Sequence, residues 1–284
     1  MDFDSRGQLL SLDLLLYMVV LSVVVATALY VYESFDNSAS EMLLNDLNDE
    51  RMNTLVDALF KTPGQPENWH VLDSGRVSSV GLCVDGNSYL ISYDKLMRLK
   101  GSPGLIYTVF PSEFKCNVYL TSSENPSQKI DIVHSYTPSA NDDVIVRSLP
   151  VIIDYGYDIL PITSDNYGYD CPYNHLNRDD DWMCKSFTFS RDNLSDMNYY
   201  IVSSDADIIL SDTYGENESL HSTGHVDITD KLKLLVHHDE DTIYIHLHST
   251  NDDAYLVSDR NNRPQHLNNV VSPETYTATI EVST

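Results

Sequence analysis

The sequence is poor in positive charge, in cysteine and in long apolar stretches, and each shortage narrows what the chain can be. Only 17 of its 284 residues are Lys or Arg, against 43 Asp and Glu, so the formal charge is −26. The few cations are scattered, which excludes nucleic acid as a partner: phosphate binding needs clustered cations, and an acidic surface repels it. The cysteines are Cys83, Cys116, Cys171 and Cys184, with no tight Cys-x2–4-Cys pair of the kind closed zinc sites use. Missing too are Gly-x-Ser-x-Gly, His-Glu-x-x-His, Gly-x4-Gly-Lys-Ser/Thr and Gly-x-Gly-x-x-Gly. Triads assemble from distant positions, so these absences do not exclude catalysis. They leave no specific reason to propose it, and the expectation is a non-enzyme with no cofactor and no metal.

What is present is an apolar content of 42%, enough for a core and incompatible with global disorder. Tyr numbers 19 against 7 Phe and 2 Trp, which suits half-exposed strands that pack a ring and wet a hydroxyl. One long apolar run stands out: Leu14–Tyr32, 19 residues without a charge. A helix of that length spans a bilayer core of about 30 Å, and the run lacks the polar face of a soluble core helix. A cleaved secretory signal fits less well, because Asp2 and Asp4 outweigh Arg6 and no small-residue cleavage site follows the run. Arg6 precedes it, whereas Glu33, Asp36, Glu41, Asp46, Asp49 and Glu50 follow before Arg51. The positive-inside rule then places the N-terminus in the cytoplasm and the body outside a cell membrane crossed once.

Arg6-Gly7-Gln8, then Ser11-Leu12-Asp13, then the apolar run resembles an archaeal class III, prepilin-type signal. The resemblance implies a prepilin peptidase that cuts between Gly7 and Gln8, leaving the helix as the mature N-terminus, where it anchors the subunit or packs into a filament. An early acid in such helices pairs with a neighbouring subunit's N-terminal amine. Asp13 stands for it here, one position later than the family's Glu. Beyond the run, Ser38-Ala-Ser-Glu41 fits a capping box. Leu44, Leu47, Arg51, Leu55, Val56, Leu59 and Phe60 then recur at spacings of three and four, an amphipathic helix over about 38–61. Its stripe suits either a core-facing helix or a contact between subunits. Pro63, Gly64 and Pro66 end it. This helix, followed by Thr-Pro-Gly-x-Pro-x-Asn-Trp69, Gly81-Leu82 and Leu90-x-x-Tyr-Asp-Lys95-Leu-x-x-Leu99, is similar to archaeal membrane-anchored proteins with class III signals.

The remainder reads as β. Val77–Val84, Ser88–Ser92, Leu105–Phe110, Cys116–Thr121, Ile130–His134 and Val144–Ile153 are short segments rich in Val, Ile and Tyr between turn residues, with a helical turn or two at Asp94–Lys100. Together they predict an α+β unit over 62–155. Residues 156–185 read as an irregular, cysteine-containing connection. Over 186–284 the segments Ser186–Ser190, Tyr199–Ser203, Asp207–Leu210, His225–Ile228, Lys231–His237, Thr242–Ser249, Ala254–Val257 and Tyr276–Val282 predict an all-β sandwich. Within it, Val226-Asp-Ile-Thr-Asp-Lys-Leu232 and Asp241-Thr-Ile-Tyr-Ile-His-Leu247 look like the strand pair of galactose-binding-like jelly rolls, which implies a surface glycan as ligand. The domain order is thus a leader over 1–7, the hydrophobic and stalk helices over 8–61, then the three segments above.

An even cysteine count in an outside domain permits two disulfides. The short loop favours Cys171–Cys184, which leaves Cys83–Cys116; buried thiols and a metal site are the rivals. Asn193-Leu-Ser195 and Asn217-Glu-Ser219 are glycosylation sequons. His246 and His248 lie two apart on one strand, His237 and His238 are adjacent, and His221 and His225 flank a Gly turn. No third ligand can be placed beside any of these pairs from spacing alone. Asp179–Asp181 with Asp170 offer oxygens for calcium but lack the Gly and Glu of an EF-hand loop, so a solvated acidic loop is expected. The sequence as a whole points to a prepilin-like surface subunit, of a minor or tip kind, that contacts the membrane, the peptidase and other pilin-like subunits. The alternative is an anchored, non-polymerising carbohydrate-binding protein.

Overall fold

The computed structural model describes residues 17–18, 20–27, 29–30, 49–84, 87–139, 144–162, 182–249 and 254–283. The chain divides into two units, Met1–Leu55 and Val56–Thr284. In the first, Tyr17, Met18, residues 20–27, Leu29 and Tyr30 are helical. Among the described residues no helix is long and apolar enough to cross a membrane. Helix α1, described over 49–60, ends where the prolines require, and its Val56, Leu59 and Phe60 are buried as the stripe predicts.

Beyond α1 the protein is β-rich. In chain order it runs β1 (Gly64–Gln65), β2 (Ser79–Val80), β3 (Cys83–Val84), β4 (Asn87–Ser92), helix α2 (Tyr93–Gly101), β5 (Lys115–Ser122), β6 (Lys129–His134), β7 (Val144–Asp154) and β8 (Asp158–Pro161). There follow β9 (Trp182–Ser190), α3 (Arg191–Asp196), β10 (Asn198–Ser211), β11 (Asn217–Asp227), α4 (Thr229–Leu235), β12 (Glu240–Ser249), β13 (Ala254–Asp259), α5 (Asn268–Val271) and β14 (Thr275–Ser283). Apart from the β1–β2 ribbon, the described strands form two six-stranded sheets. The first has the order β3-β4-β7-β14-β5-β6, and the second β8-β13-β10-β12-β9 with β11 on the other edge of β10.

The final strand is not where the sequence predicts it. β14 leaves the second group and lies between β7 and β5, so the 186–284 stretch does not keep its own sheet. β8, expected to be irregular, pairs with β13. Local pattern explains why neither was foreseen: alternation says that a segment is a strand and which face it buries, but not which neighbour it takes. In β14, Tyr276, Ala278, Ile280 and Val282 are buried. The opposite face is polar, with the Glu281 carboxylate accepting from Tyr119 Oη at 2.9 Å and Asn117 Nδ2 at 3.3 Å. This is the one-sided pattern of an antiparallel strand.

β10 shows how one strand serves a bent sheet. Its first half pairs with β13 and its second with β12, and the register shifts between Ser203 and Ala206. The core-facing residues switch there from Tyr199 and Ile201 to Ala206, Ile208 and Leu210, from odd to even numbers. One extra residue in a bulge does this: without it the second half would turn its apolar face to water. The expected pair of strands is therefore a single bulged strand. Both halves close over one core that includes Phe189, Leu232, Leu235, Ile245 and Leu256, an arrangement compatible with a β-sandwich.

Two expected strands are helical. Leu105 and Ile106 are both buried although adjacent, which alternation forbids, and Pro103–Thr108 forms a 3-10 turn. Residues 231–237 overlap α4, whose buried Leu232 and Leu235, with Val236 beyond, stand three and four apart while Leu234 is exposed.

The motif around Trp69 forms a knot at the end of α1. Leu82 N donates to Leu59 O at 2.7 Å and Cys83 N to Thr62 O at 3.1 Å, which ties β3 to the helix end. Trp69, fully buried, donates Nε1–H to Gly81 O at 2.9 Å. Gly64 has φ +82°, and a Cβ on Gly81 would strike the Thr62 carbonyl and the Gly64 amide nitrogen. Lys95 of α2, only 5% exposed, donates Nζ–H to Pro63 O and Cys83 O, each at 3.0 Å.

A second tie joins the two sheets. Buried Asp259 accepts from the amides of Asn261 and Arg263, and Arg263 pairs with Asp94 of α2 while lying 4.7 Å over the Tyr93 ring. Arg263 Nη1 donates to Tyr155 O at 2.9 Å. His266 stacks on Tyr155 with centroids 4.2 Å apart and planes 15° from parallel.

These two ties generate two predictions. Gly81→Ala forces backbone against backbone and should lower unfolding stability by about 1–3 kcal/mol, whereas Gly75→Ala, which meets nothing within 4 Å, should change it little. Denaturant titration of the two variants, with equal losses as the contrary result, checks the knot. Burial first, then the Arg263 charge, hold the His266 imidazole below its ordinary value, against an opposing pull from Glu274. As pH falls the unfolded chain takes up this proton first, so the stability is present above about pH 6.5 and is lost in acid. His266→Phe keeps a ring in the stack and removes the titration. Its denaturation midpoint should fall less than that of the unaltered chain between about pH 7 and pH 5, and parallel falls would refute the assignment.

Candidate functional site

Gly7, Gln8, Asp13, Cys171, Asp170 and Asp179–Asp181 lie outside the described residues. Cys83, Cys116 and Cys184 are buried thiols. The expected Cys83–Cys116 disulfide is not formed. Cys83 lies on β3 and Cys116 on β5, with β4, β7 and β14 between them in the sheet. Four strand spacings of about 4.8 Å put them roughly 19 Å apart, far beyond the reach of a disulfide. The Cys83 thiol donates to Val84 O at 2.8 Å, and burial pushes the Cys116 thiol up to about 12. Asn193 in α3 and Asn217 at the start of β11 are both exposed, so either can carry a glycan without unfolding its element.

The histidine pairs have different surroundings. His246 is fully buried, with Nε2 2.7 Å from Ser211 Oγ and Nδ1 3.1 Å from Cys184 Sγ. Both ring nitrogens are engaged in a polar chain across β9, β12 and β10. His248, on the same side of β12, stacks on Trp182 with centroids 5.2 Å apart. His225 meets the Tyr200 ring edge-on.

His237 is different, because the fold brings it to partners distant in sequence. Asp212 follows β10, Glu216 precedes β11, and Gly215, at φ +96°, turns the chain between them. The Asp212 carboxylate accepts at Oδ1 from the amides of Tyr214 at 2.9 Å and Glu216 at 2.8 Å. The remaining oxygen, Oδ2, is buried without a hydrogen-bond partner on a side chain only 1% exposed. It points toward His237 Nε2 at 3.3 Å, and Glu216 Oε2 lies 3.4 Å from the same nitrogen. The three ligand atoms fall within 4.8 Å of one another. His237 sits just past α4 in a fixed backbone: Asp241 Oδ2 accepts from the His237 and His238 amides at 2.6 and 2.8 Å, and Arg191 Nη2 donates to His237 O at 2.7 Å. The exposed Tyr214 ring stands edge-on to the imidazole at 6.0 Å.

This cluster was missed in the sequence because it needs Asp212 and Glu216 across a β-turn and a histidine some twenty residues on. The Asp-x-x-Gly-Glu turn and the adjacent histidines were both visible, but their meeting depends on how β10, β11 and α4 pack. Comparison with protein-family models, with curated proteins and with solved structures found no match for the chain.

The thiol assignment is directly measurable. Alkylation after denaturation without reductant, followed by peptide mapping, should recover Cys83 and Cys116 as separate modified thiols. In the native protein Cys116 should resist alkylation near pH 8, since the thiolate is the reactive form and burial disfavours it. A peptide joining the two cysteines would overturn the strand order of the first sheet.

Proposed function

We propose that the chain is a prepilin-like subunit with a class III signal, held by its N-terminal helix in a membrane or a filament core, and displaying its β-rich body at the cell surface for assembly, adhesion or recognition. The observation that carries this is the state of the apolar helix. Tyr17, Met18, Val20, Leu21, Val23, Val24, Val25, Leu29 and Tyr30 are each 43–74% exposed. Leaving that many large apolar side chains in water costs on the order of 10 kcal/mol, so such a helix needs lipid or other helices around it.

Its polar side chains are suited to the same surroundings. Ser22 Oγ donates to Met18 O at 2.5 Å, and Thr27 Oγ1 lies 3.0 Å from Val23 O and 2.9 Å from Val24 O. Hydroxyls turned back onto the helix carbonyls present no unsatisfied donor to an apolar environment. The Arg6-Gly7-Gln8 sequence just before this run supplies the processing site that the resemblance implies. Finer assignment of the second sheet as a jelly roll, with a surface glycan as its ligand, rests on the resemblance of 226–232 and 241–247 and belongs to the same proposal. The first of those segments is a strand end followed by α4, and the second lies on β12.

Processing and assembly are separable experimentally. Intact-mass analysis of protein from its native membrane should show a chain beginning at Gln8. A mature protein that keeps Met1, or that begins beyond Tyr32, would end the prepilin reading. Asp13→Ala should leave membrane insertion intact and abolish recovery in sheared surface filaments, because a buried acid in a filament depends on a partner amine. If the unaltered protein never enters such a fraction, an anchored binding protein takes its place.

A further inference from the structure

We propose that Asp212, Glu216 and His237 form a binding site for a divalent metal ion of the zinc class. The site belongs to the body of the protein and does not depend on whether the chain polymerises. Three features carry it. The first is the orphaned oxygen: Asp212 Oδ2 is buried, has no hydrogen-bond partner and faces the other two ligand atoms. A buried carboxylate oxygen without a partner is costly, and among the described residues Asp212 is the one carboxylate left so, the other such atoms being hydroxyls and ring or guanidinium nitrogens.

The second is spacing. Zinc binds imidazole nitrogen and carboxylate oxygen at about 2.0–2.2 Å, and in a tetrahedron the ligand atoms then stand about 3.3–3.5 Å apart. His237 Nε2 lies 3.3 Å from Asp212 Oδ2 and 3.4 Å from Glu216 Oε2. An ion placed between the three completes the valence of Oδ2 and offsets two negative charges. A protonated imidazole makes the poorer partner, because one Nε2–H is shared between two carboxylates and forms no hydrogen bond to Oδ2.

The third is preorganisation. Backbone amides hold the opposite oxygen of Asp212, Gly215 fixes the turn that returns Glu216, and Asp241 with Arg191 fixes the backbone at His237. Supports of this kind orient ligands before an ion arrives. The donor set selects the metal. Calcium takes six to eight oxygens and magnesium an octahedron of oxygens, whereas one imidazole with two carboxylates suits zinc and its first-row neighbours. Three protein ligands leave a fourth position facing solvent beside Tyr214, the open arrangement in which zinc holds water or a donor from another molecule.

The test uses the full-length protein in detergent with Zn2+ as the only ligand, measured by competition against a chromophoric chelator, and with Co2+ as a spectroscopic substitute. The unaltered protein should bind one equivalent of Zn2+ that Glu216→Gln and His237→Gln each weaken by at least about tenfold. Both residues are partly or largely exposed, so these variants keep the fold where Asp212→Asn disturbs the turn. His248→Gln should leave that equivalent unchanged, and the visible Co2+ band should be lost in both ligand variants. Equal Zn2+ affinity in the unaltered protein and both variants, or displacement of Zn2+ by equimolar Ca2+, would overturn the site.

Discussion

Two backbones meet without a Cβ between them at Gly64 and Gly81, and the first sheet is built outward from that contact. The approach is close enough that Trp69 can lie over it and bond the Gly81 carbonyl. It also brings Pro63 O and Cys83 O within reach of a single ammonium group, that of Lys95. A buried lysine is expensive unless its donors are satisfied, and here the partners are carbonyls that the knot itself exposes. The tie therefore works in both directions: the glycines create the acceptors, and Lys95 holds α2 against the strand that carries one of them. This explains the spaced residues Thr62-Pro-Gly, Trp69, Gly81-Leu82 and Lys95-Leu-x-x-Leu99 as scaffold.

The same sheet is completed by the last strand of the chain. β14 lies at its centre, between β7 and β5, after the chain has passed through the whole of the second sheet. Pairings this distant in sequence form slowly, since the intervening loop must be closed before the contact stabilises anything. Arg263 lies in the connection that leads into β14. It stands shortly before β14, is positioned by Asp259 of the second sheet, and grips Tyr93, Asp94 and Tyr155 beside the first. The clamp thus ties the connection between β13 and β14 to both sheets.

What the sequence made legible follows from the range of each signal. The segments 116–121 and 144–153, rich in Val, Ile and Tyr, and the segment 276–282 are strands as their composition and pattern lead one to expect, because that information is local. The amphipathic spacing of Val56, Leu59 and Phe60 was legible for the same reason. Short apolar runs were ambiguous: Leu105-Ile106 and Leu232 to Val236 suit a strand by composition, and only burial of adjacent or three-apart residues shows them to be helical. The Cys83–Cys116 pairing, reached by elimination, fails because three strands stand between the two cysteines in the sheet, and two of them, β7 and β14, come from beyond Cys116. The candidate site was invisible for that reason as well, since its histidine and its acids are neighbours only in space.

In a chain with 43 acids and 10 histidines, proximity of the two is common, so the sheet offers its own control. His221 also stands between two acids, with Nδ1 2.9 Å from Asp207 and Nε2 3.4 Å from Asp205. There the carboxylates flank opposite nitrogens of the ring, and all three side chains are more than half exposed. Such a cluster cannot converge on one ion, and in water it amounts to a surface pairing worth little. At His237 both carboxylates approach the same nitrogen, and one of them is removed from solvent with an oxygen left over. The residue types are alike in the two clusters. What separates them is geometry and desolvation, and those are supplied by a glycine turn and a short helix that place Asp212 beneath His237 instead of beside it.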